Sequence, residues 1–97
     1  MRVRWTKGAR AQLLEIFAYV AEERPMTAKK LYSRLRAAAA ELGEQPLRGR
    51  VVPEFNDPAI RERLVKPYRI LYTVKKDLFI LAVYHGRRLL PEKPEDL

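Results

Sequence analysis

Tyr68-Arg69-Ile70-Leu71-Tyr72-Thr73-Val74-Lys75-Lys76-Asp77-Leu78-Phe79-Ile80-Leu81-Ala82-Val83-Tyr84-His85-Gly86 is the stretch that decides the fold. Tyr68, Ile70, Tyr72 and Val74 alternate with Arg69, Leu71, Thr73 and Lys75, the period of a half-buried strand. Lys76-Asp77 marks a tight turn. Leu78 to Val83 is apolar at every position, as a central strand covered on both faces requires. Gly86 ends it, and Arg87-Arg88 follow directly. Strands joined by so short a turn are antiparallel. A three-residue turn puts Thr73 opposite Phe79 and Arg69 opposite Val83, with His85 diagonal to Arg69. A two-residue turn slips the register by one and gives Arg69 a face shared with Tyr84.

Upstream, Arg61 to Lys66 reads as another strand, with Pro67 weakening one end. Asn56-Asp57-Pro58 is turn chemistry, and Gly49-Arg50-Val51-Val52-Pro53 can hold a short extended segment. Before Pro46 the period becomes helical. Ala28, Leu31, Leu35, Ala38, Ala39 and Leu42 share one stripe, with Lys29, Lys30, Arg34 and Arg36 off it. Thr27 is the candidate cap of that helix and Gly43 its stop signal. Ala9, Leu13, Ile16, Phe17 and Val20 form the stripe of an earlier helix, which Thr6 can cap and Arg24-Pro25 ends. Val3 and Trp5 alternate with Arg2 and Arg4 in a short first strand. The pattern predicts an α+β fold: an N-terminal strand, then an antiparallel helical hairpin packed on a small antiparallel sheet of roughly three to four strands. The far face of that sheet is free to stay open. Residues 89–97 read as an irregular tail, and residues 1–97 as one domain.

Lys and Arg number 20 against 12 Asp and Glu, a formal charge of +8, which favours a polyanionic target or an acidic protein partner. There is no cysteine, so disulfides and thiolate zinc sites are excluded, and one histidine rules out a multi-histidine metal site. No cofactor is expected. Met1-Arg2-Val3-Arg4-Trp5 lacks the apolar run of a signal peptide, and no segment is long enough to span a bilayer, so a cytoplasmic protein is expected.

Several strings, in this order and spacing, resemble the RelE/ParE toxin family. They are Trp5-Thr6 with Ala9, Leu13 and Ile16; Pro46-Leu47-Arg48-Gly49-Arg50-Val51-Val52-Pro53-Glu54; Arg61-Glu62 followed by Tyr68-Arg69-Ile70-Leu71-Tyr72; and Val83-Tyr84-His85-Gly86-Arg87-Arg88. The resemblance implies a growth-inhibiting toxin neutralised by a co-expressed antitoxin, expected to be acidic. The ParE-like branch poisons DNA gyrase, and the RelE-like branch cuts messenger RNA inside the ribosome.

Metal-free RNA cleavage needs a base, an acid and cations that stabilise the phosphorane charge. The resemblance matches Arg69 and Arg88 to catalytic arginines of the nuclease branch. His85 is the proton-transfer candidate, since an unperturbed imidazole titrates near about 6.5. The nuclease branch also has two lysines on the preceding strand, where this chain has Ile60 and Glu62. That departure favours the ParE-like reading. Arg69 could equally pair with Glu54 or Glu62 as a structural ion pair, and His85 could merely cap a strand end. The residues expected to contact a partner are Lys29, Lys30, Arg34, Arg61, Arg63, Tyr84 and Arg87. A basic nucleic-acid-binding module without toxicity is the remaining alternative from a different class, with a steep salt dependence as its mark.

Overall fold

The structure is a computed structural model that describes all of residues 1–97. Strand β1 (Val3–Trp5) leads into helix α1 (Lys7–Ala21), and helix α2 (Pro25–Glu41) returns alongside it. Strands β2 (Arg50–Val51), β3 (Arg61–Val65), β4 (Tyr68–Val74) and β5 (Leu78–His85) follow, with a 3-10 turn at Pro94–Asp96. They form one five-stranded sheet in the order β1-β5-β4-β3-β2. The sheet is larger than the sequence pattern suggested and is mixed rather than antiparallel. The added strands are the two-residue β2 and β1, which pairs parallel to β5 with Val3 opposite Leu78 and Trp5 opposite Ile80. The crossover that a parallel pair requires is supplied by everything between them.

Local chemistry sets the helix ends. The Thr6 hydroxyl accepts a hydrogen bond from the Ala9 amide at 3.1 Å, capping α1 as expected. α2 starts two residues before the expected Thr27 cap, with Arg24 at the cap position and Pro25 as its first helical residue. Proline has no amide hydrogen to leave unsatisfied there, and its fixed φ suits the first turn, so it opens α2 without a side-chain cap.

The helices cover one face of the sheet. Ala9 and Leu13 of α1, with Leu35, Ala38, Ala39 and Leu42 of the α2 region, pack against Ile70, Tyr72, Leu78, Ile80 and Val83. Each large aliphatic side chain sealed here contributes roughly 1.5–3 kcal/mol relative to exposure. The opposite face is not open. The loop from Val52 to Ile60 lies over it, and those two residues form a second core with Leu71, Ala82 and Tyr84. Phe55 from that loop, and Leu90 and Leu97 from the tail, pack against its edge. The short connection after β2 therefore doubles back to cover apolar side chains that would otherwise meet water.

The β4–β5 register combines the two alternatives open in the sequence. The turn places Thr73 opposite Phe79 and Val74 opposite Leu78, the three-residue arrangement. Between Tyr72↔Ile80 and Leu71↔Ala82 the register shifts by one, leaving Leu81 as an extra residue in β5. Beyond the bulge Arg69 faces Tyr84 and Tyr68 faces His85. The start of α1 fastens this bulge from the far side. The Thr6 amide donates to the Ile80 carbonyl at 3.0 Å, the Thr6 hydroxyl to the Leu81 carbonyl at 3.4 Å, and the Val83 amide to Gln12 Oε1 at 2.9 Å.

Candidate functional site

Arg69 sits at the centre of a charge network on the sheet face opposite the helices. Its side chain is only 11% exposed. Nε donates to Glu62 Oε1 at 2.5 Å, while Nη1 and Nη2 donate to the two oxygens of Glu54 at 2.6 and 2.8 Å. Glu62 is fully sealed from solvent, and its other oxygen accepts from Arg50 Nε at 2.8 Å. One arginine thus answers two carboxylates, and the buried carboxylate answers two arginines. The hydrogen bond from Arg69 holds the Glu54 carboxyl below its ordinary value of 4.5, and the same bond pushes the Arg69 guanidinium above its own.

The positions of these groups follow from strand parity. Glu62 on β3 faces Leu71 on β4, and Leu64 faces Arg69, so Glu62, Leu64, Arg69 and Leu71 share the face away from the helices. Arg50 on β2 is the cross-strand partner of Glu62. Glu54 comes from the loop anchored by Val52 and Ile60. An open cleft of about 310 Å³ lies in front of the network, lined in part by Arg50, Glu54, Lys66, Tyr68, Arg69 and Gly86.

The residues singled out for chemistry divide between the faces. Tyr84 faces Arg69 across the strand pair, and the Arg88 guanidinium stacks over the Tyr84 ring at 4.6 Å. His85 points the other way. It pairs with Tyr68, whose ring it meets edge-on at 5.5 Å, and its Nδ1 accepts from the Arg87 amide at 3.1 Å. Arg69 and His85 therefore lie on opposite faces of the sheet.

The expected contact residues are likewise dispersed. Arg61 donates to the Gly49 carbonyl at 2.8 Å, and Arg63 ties β3 to α2 through the Ala38 carbonyl at 2.5 Å and Glu41 at 3.0 Å. Arg34 donates to the Lys66 carbonyl at 2.9 Å, joining α2 to the β3–β4 turn. Lys29 and Lys30 are exposed on α2 beside shallow apolar clefts, one with Leu14, Phe17 and Tyr32, the other with Val20, Leu31 and Tyr68. Arg87 is exposed, whereas Tyr84 is 6% exposed and belongs to the second core. No group of three or more His, Cys, Asp or Glu side chains converges as metal ligands.

Three contributors were not singled out from the sequence. Arg50 completes the Glu62 pair, and its signal is alternation in Gly49-Arg50-Val51, which puts a cation on one strand face. Tyr72 is more than core. Its hydroxyl donates to the Pro46 carbonyl at 2.7 Å and accepts from the Gly49 amide at 2.9 Å, pinning the loop that delivers Arg50. Burial pushes this phenol above its ordinary value. Gln12 stands in for a strand partner at Val83, and nothing in a helical stripe announces that role.

The chain is thus a small basic α+β domain with a helical hairpin on one sheet face and an arginine–carboxylate network on the other. The profile of the ParE toxin of type II toxin–antitoxin systems matches residues 3–90. The chain is 33% identical over 93 residues to Y4kP of Sinorhizobium fredii, a protein with a toxin's name, covering 94% of each. It is 37% identical over 90 residues to toxin RelE2 of Caulobacter vibrioides, covering 91% of this chain and 98% of that protein. Among solved structures it is similar to a chain of the chromosomal ParDE toxin–antitoxin system from P. aeruginosa. The TM-score there is 0.75 at 25% identity, over 88% of this chain and 95% of that one. The chain belongs to the ParE toxin family of type II toxin–antitoxin systems. Membership of such a system carries with it a cognate antitoxin as partner. No helix is long and apolar enough to cross a membrane.

Proposed function

We propose that this toxin acts in the cytoplasm as a ParE-like inhibitor of DNA gyrase, by protein contact rather than by cutting RNA. The observation that carries this reading is the separation of Arg69 from His85 on opposite faces of the sheet. A general acid must lie within hydrogen-bond reach of the atom it protonates, and the cation stabilising the phosphorane must grip the same phosphate. Side chains on opposite faces of a strand pair cannot do both. The place where the nuclease branch carries lysines supports the same reading, because Ile60 is buried in the second core and Glu62 is sealed between two arginines.

The test is induction of the chain in a bacterial cell without its antitoxin, with microscopy, primer extension on abundant messages and a supercoiling assay with purified gyrase. The expected outcome is filamentation, intact messages and inhibited supercoiling, all retained by His85→Ala. Cuts within translated codons that disappear in Arg69→Ala or His85→Ala would establish the ribonuclease activity instead.

A further inference from the structure

We propose that the Arg69 fork is a carboxylate-recognition site for an acidic protein segment, filled in the free chain by its own Glu54. The proposal rests on the family reading that an antitoxin binds this toxin, and it assigns one point of that contact.

The fork already shows the geometry of its ligand. Nη1 and Nη2 meet the two Glu54 oxygens at 2.6 and 2.8 Å, the planar two-point match that distinguishes carboxylate recognition from a point charge. The remaining edge of the guanidinium is held independently by Glu62, which is fully buried. If Glu54 leaves, Arg69 stays aimed at the cleft.

Glu54 is free to leave. Its side chain is 44% exposed, and it hangs from a loop whose anchors Val52 and Ile60 are 0% and 8% exposed. Rotation of one side chain opens the fork without moving the loop. The cleft is lined by Arg50, Lys66 and Arg69 against the single carboxylate of Glu54, with Glu62 sealed behind it, an excess of cations that attracts an acid. Leu64, which is 46% exposed, Pro67 and Tyr68 give it an apolar rim. A peptide side chain with flanking apolar neighbours fits that mixture better than a bare phosphate backbone. The internal Glu54 then acts as a competitor that an incoming carboxylate must displace.

The test follows the backbone amide resonances of positions 54, 62 and 69 in the full chain, which survive every substitution used, during titration with sodium acetate or sodium phosphate at ionic strength held constant with chloride. In Glu54→Ala the acetate response is expected to saturate at about one tenth of the wild-type concentration. It is expected to vanish in Glu54→Ala/Arg69→Lys, where the fork is gone. Glu54→Gln, which keeps the side chain's shape, should show the same order if Glu54→Ala loosens the loop. Coincident acetate curves for wild type and both Glu54 variants overturn the proposal. Phosphate saturating below acetate in Glu54→Ala also overturns it and assigns the fork to a nucleic-acid backbone. No antitoxin enters this titration, so its failure leaves family membership and the gyrase reading standing. Failure of the gyrase assay, conversely, does not touch the acetate curves.

Discussion

Arg69 and Tyr84 face each other across the β4–β5 pair because β5 carries one residue more than β4 between Tyr72 and Leu71. Without Leu81 as a bulge, the turn register would set Arg69 against Val83. The bulge brings Tyr84, and with it the stacked Arg88, onto the face where Glu62 and Glu54 hold Arg69. It also turns His85 toward Tyr68 and the helices. A single inserted residue thus sorts the chemistry of the last strand between two faces.

The two carboxylates on Arg69 should differ sharply in their contribution to stability. Glu62 is fully buried, so Glu62→Ala leaves a desolvated arginine short of one partner and is expected to cost about 3 kcal/mol. Glu54 is 44% exposed, so Glu54→Ala is expected to cost about 1 kcal/mol or less. Urea unfolding of the two variants beside wild type checks the order. Equal losses would mean that burial does not govern this network.

Acid should loosen the loop that carries Glu54. Its carboxyl is held below 4.5 in the fold by the Arg69 hydrogen bond. A carboxyl depressed on folding contributes stability that is fully present above its unfolded value and is lost as pH falls through its folded one. The contribution is therefore constant at neutral pH and fades only in acid below 4.5. Glu54→Gln should be less stable than wild type at pH 7, with the gap narrowing in acid. The measurement is unfolding free energy against pH for both chains.

Tyr72→Phe is expected to destabilise the chain by about 1–3 kcal/mol, because it strips the Gly49 amide and the Pro46 carbonyl of their partner in a buried place. The effect should reach the network at a distance, since the same loop delivers Arg50 to Glu62. Gly49→Ala should be worse, because a Cβ there would lie 2.6 Å from the Tyr72 hydroxyl and closer still to the Glu62 carbonyl. Thermal melts rank the two variants. Unchanged melts would remove Tyr72 from the account of how β2 is held.

Gln12→Ala should expose the edge of β5. The Val83 amide loses its acceptor, an expected loss of about 1 kcal/mol. Hydrogen exchange should show faster exchange at Val83, with the amides of Ile70 and Leu71 little changed. Unaltered protection at Val83 would show that another acceptor replaces the glutamine.

Patterned burial made most of the fold legible. The two helical stripes and the alternation of Tyr68 to Val74 mark the faces that pack between helices and sheet, the apolar run from Leu78 marks a strand buried on both faces, and all appear where expected. β1 was visible as a strand, but its parallel pairing was not, because three residues carry no record of a partner 75 positions away. The second core was also hidden. Val52, Ile60 and Phe55 sit in a loop without period, and only the folded chain shows that they meet Leu71 and Tyr84. At the site, Arg69 with Glu54 or Glu62 was foreseeable as an ion pair, but not its use of both. The faces of Tyr84 and His85 depended on a bulge, which leaves no mark in composition or spacing.

Val3 must wait for Leu78 and Trp5 for Ile80 before the first strand has a neighbour. During synthesis the first strand emerges long before the strand it pairs with, and Thr6 and Gln12 likewise await a carbonyl and an amide of the last strand. Contacts so distant along the chain slow folding, since loop-closure entropy is lost before they form. The toxin's first residues and its last strand are thus completed together. A truncated chain lacking β5 leaves the first strand unpaired and both helices without most of the sheet they pack on.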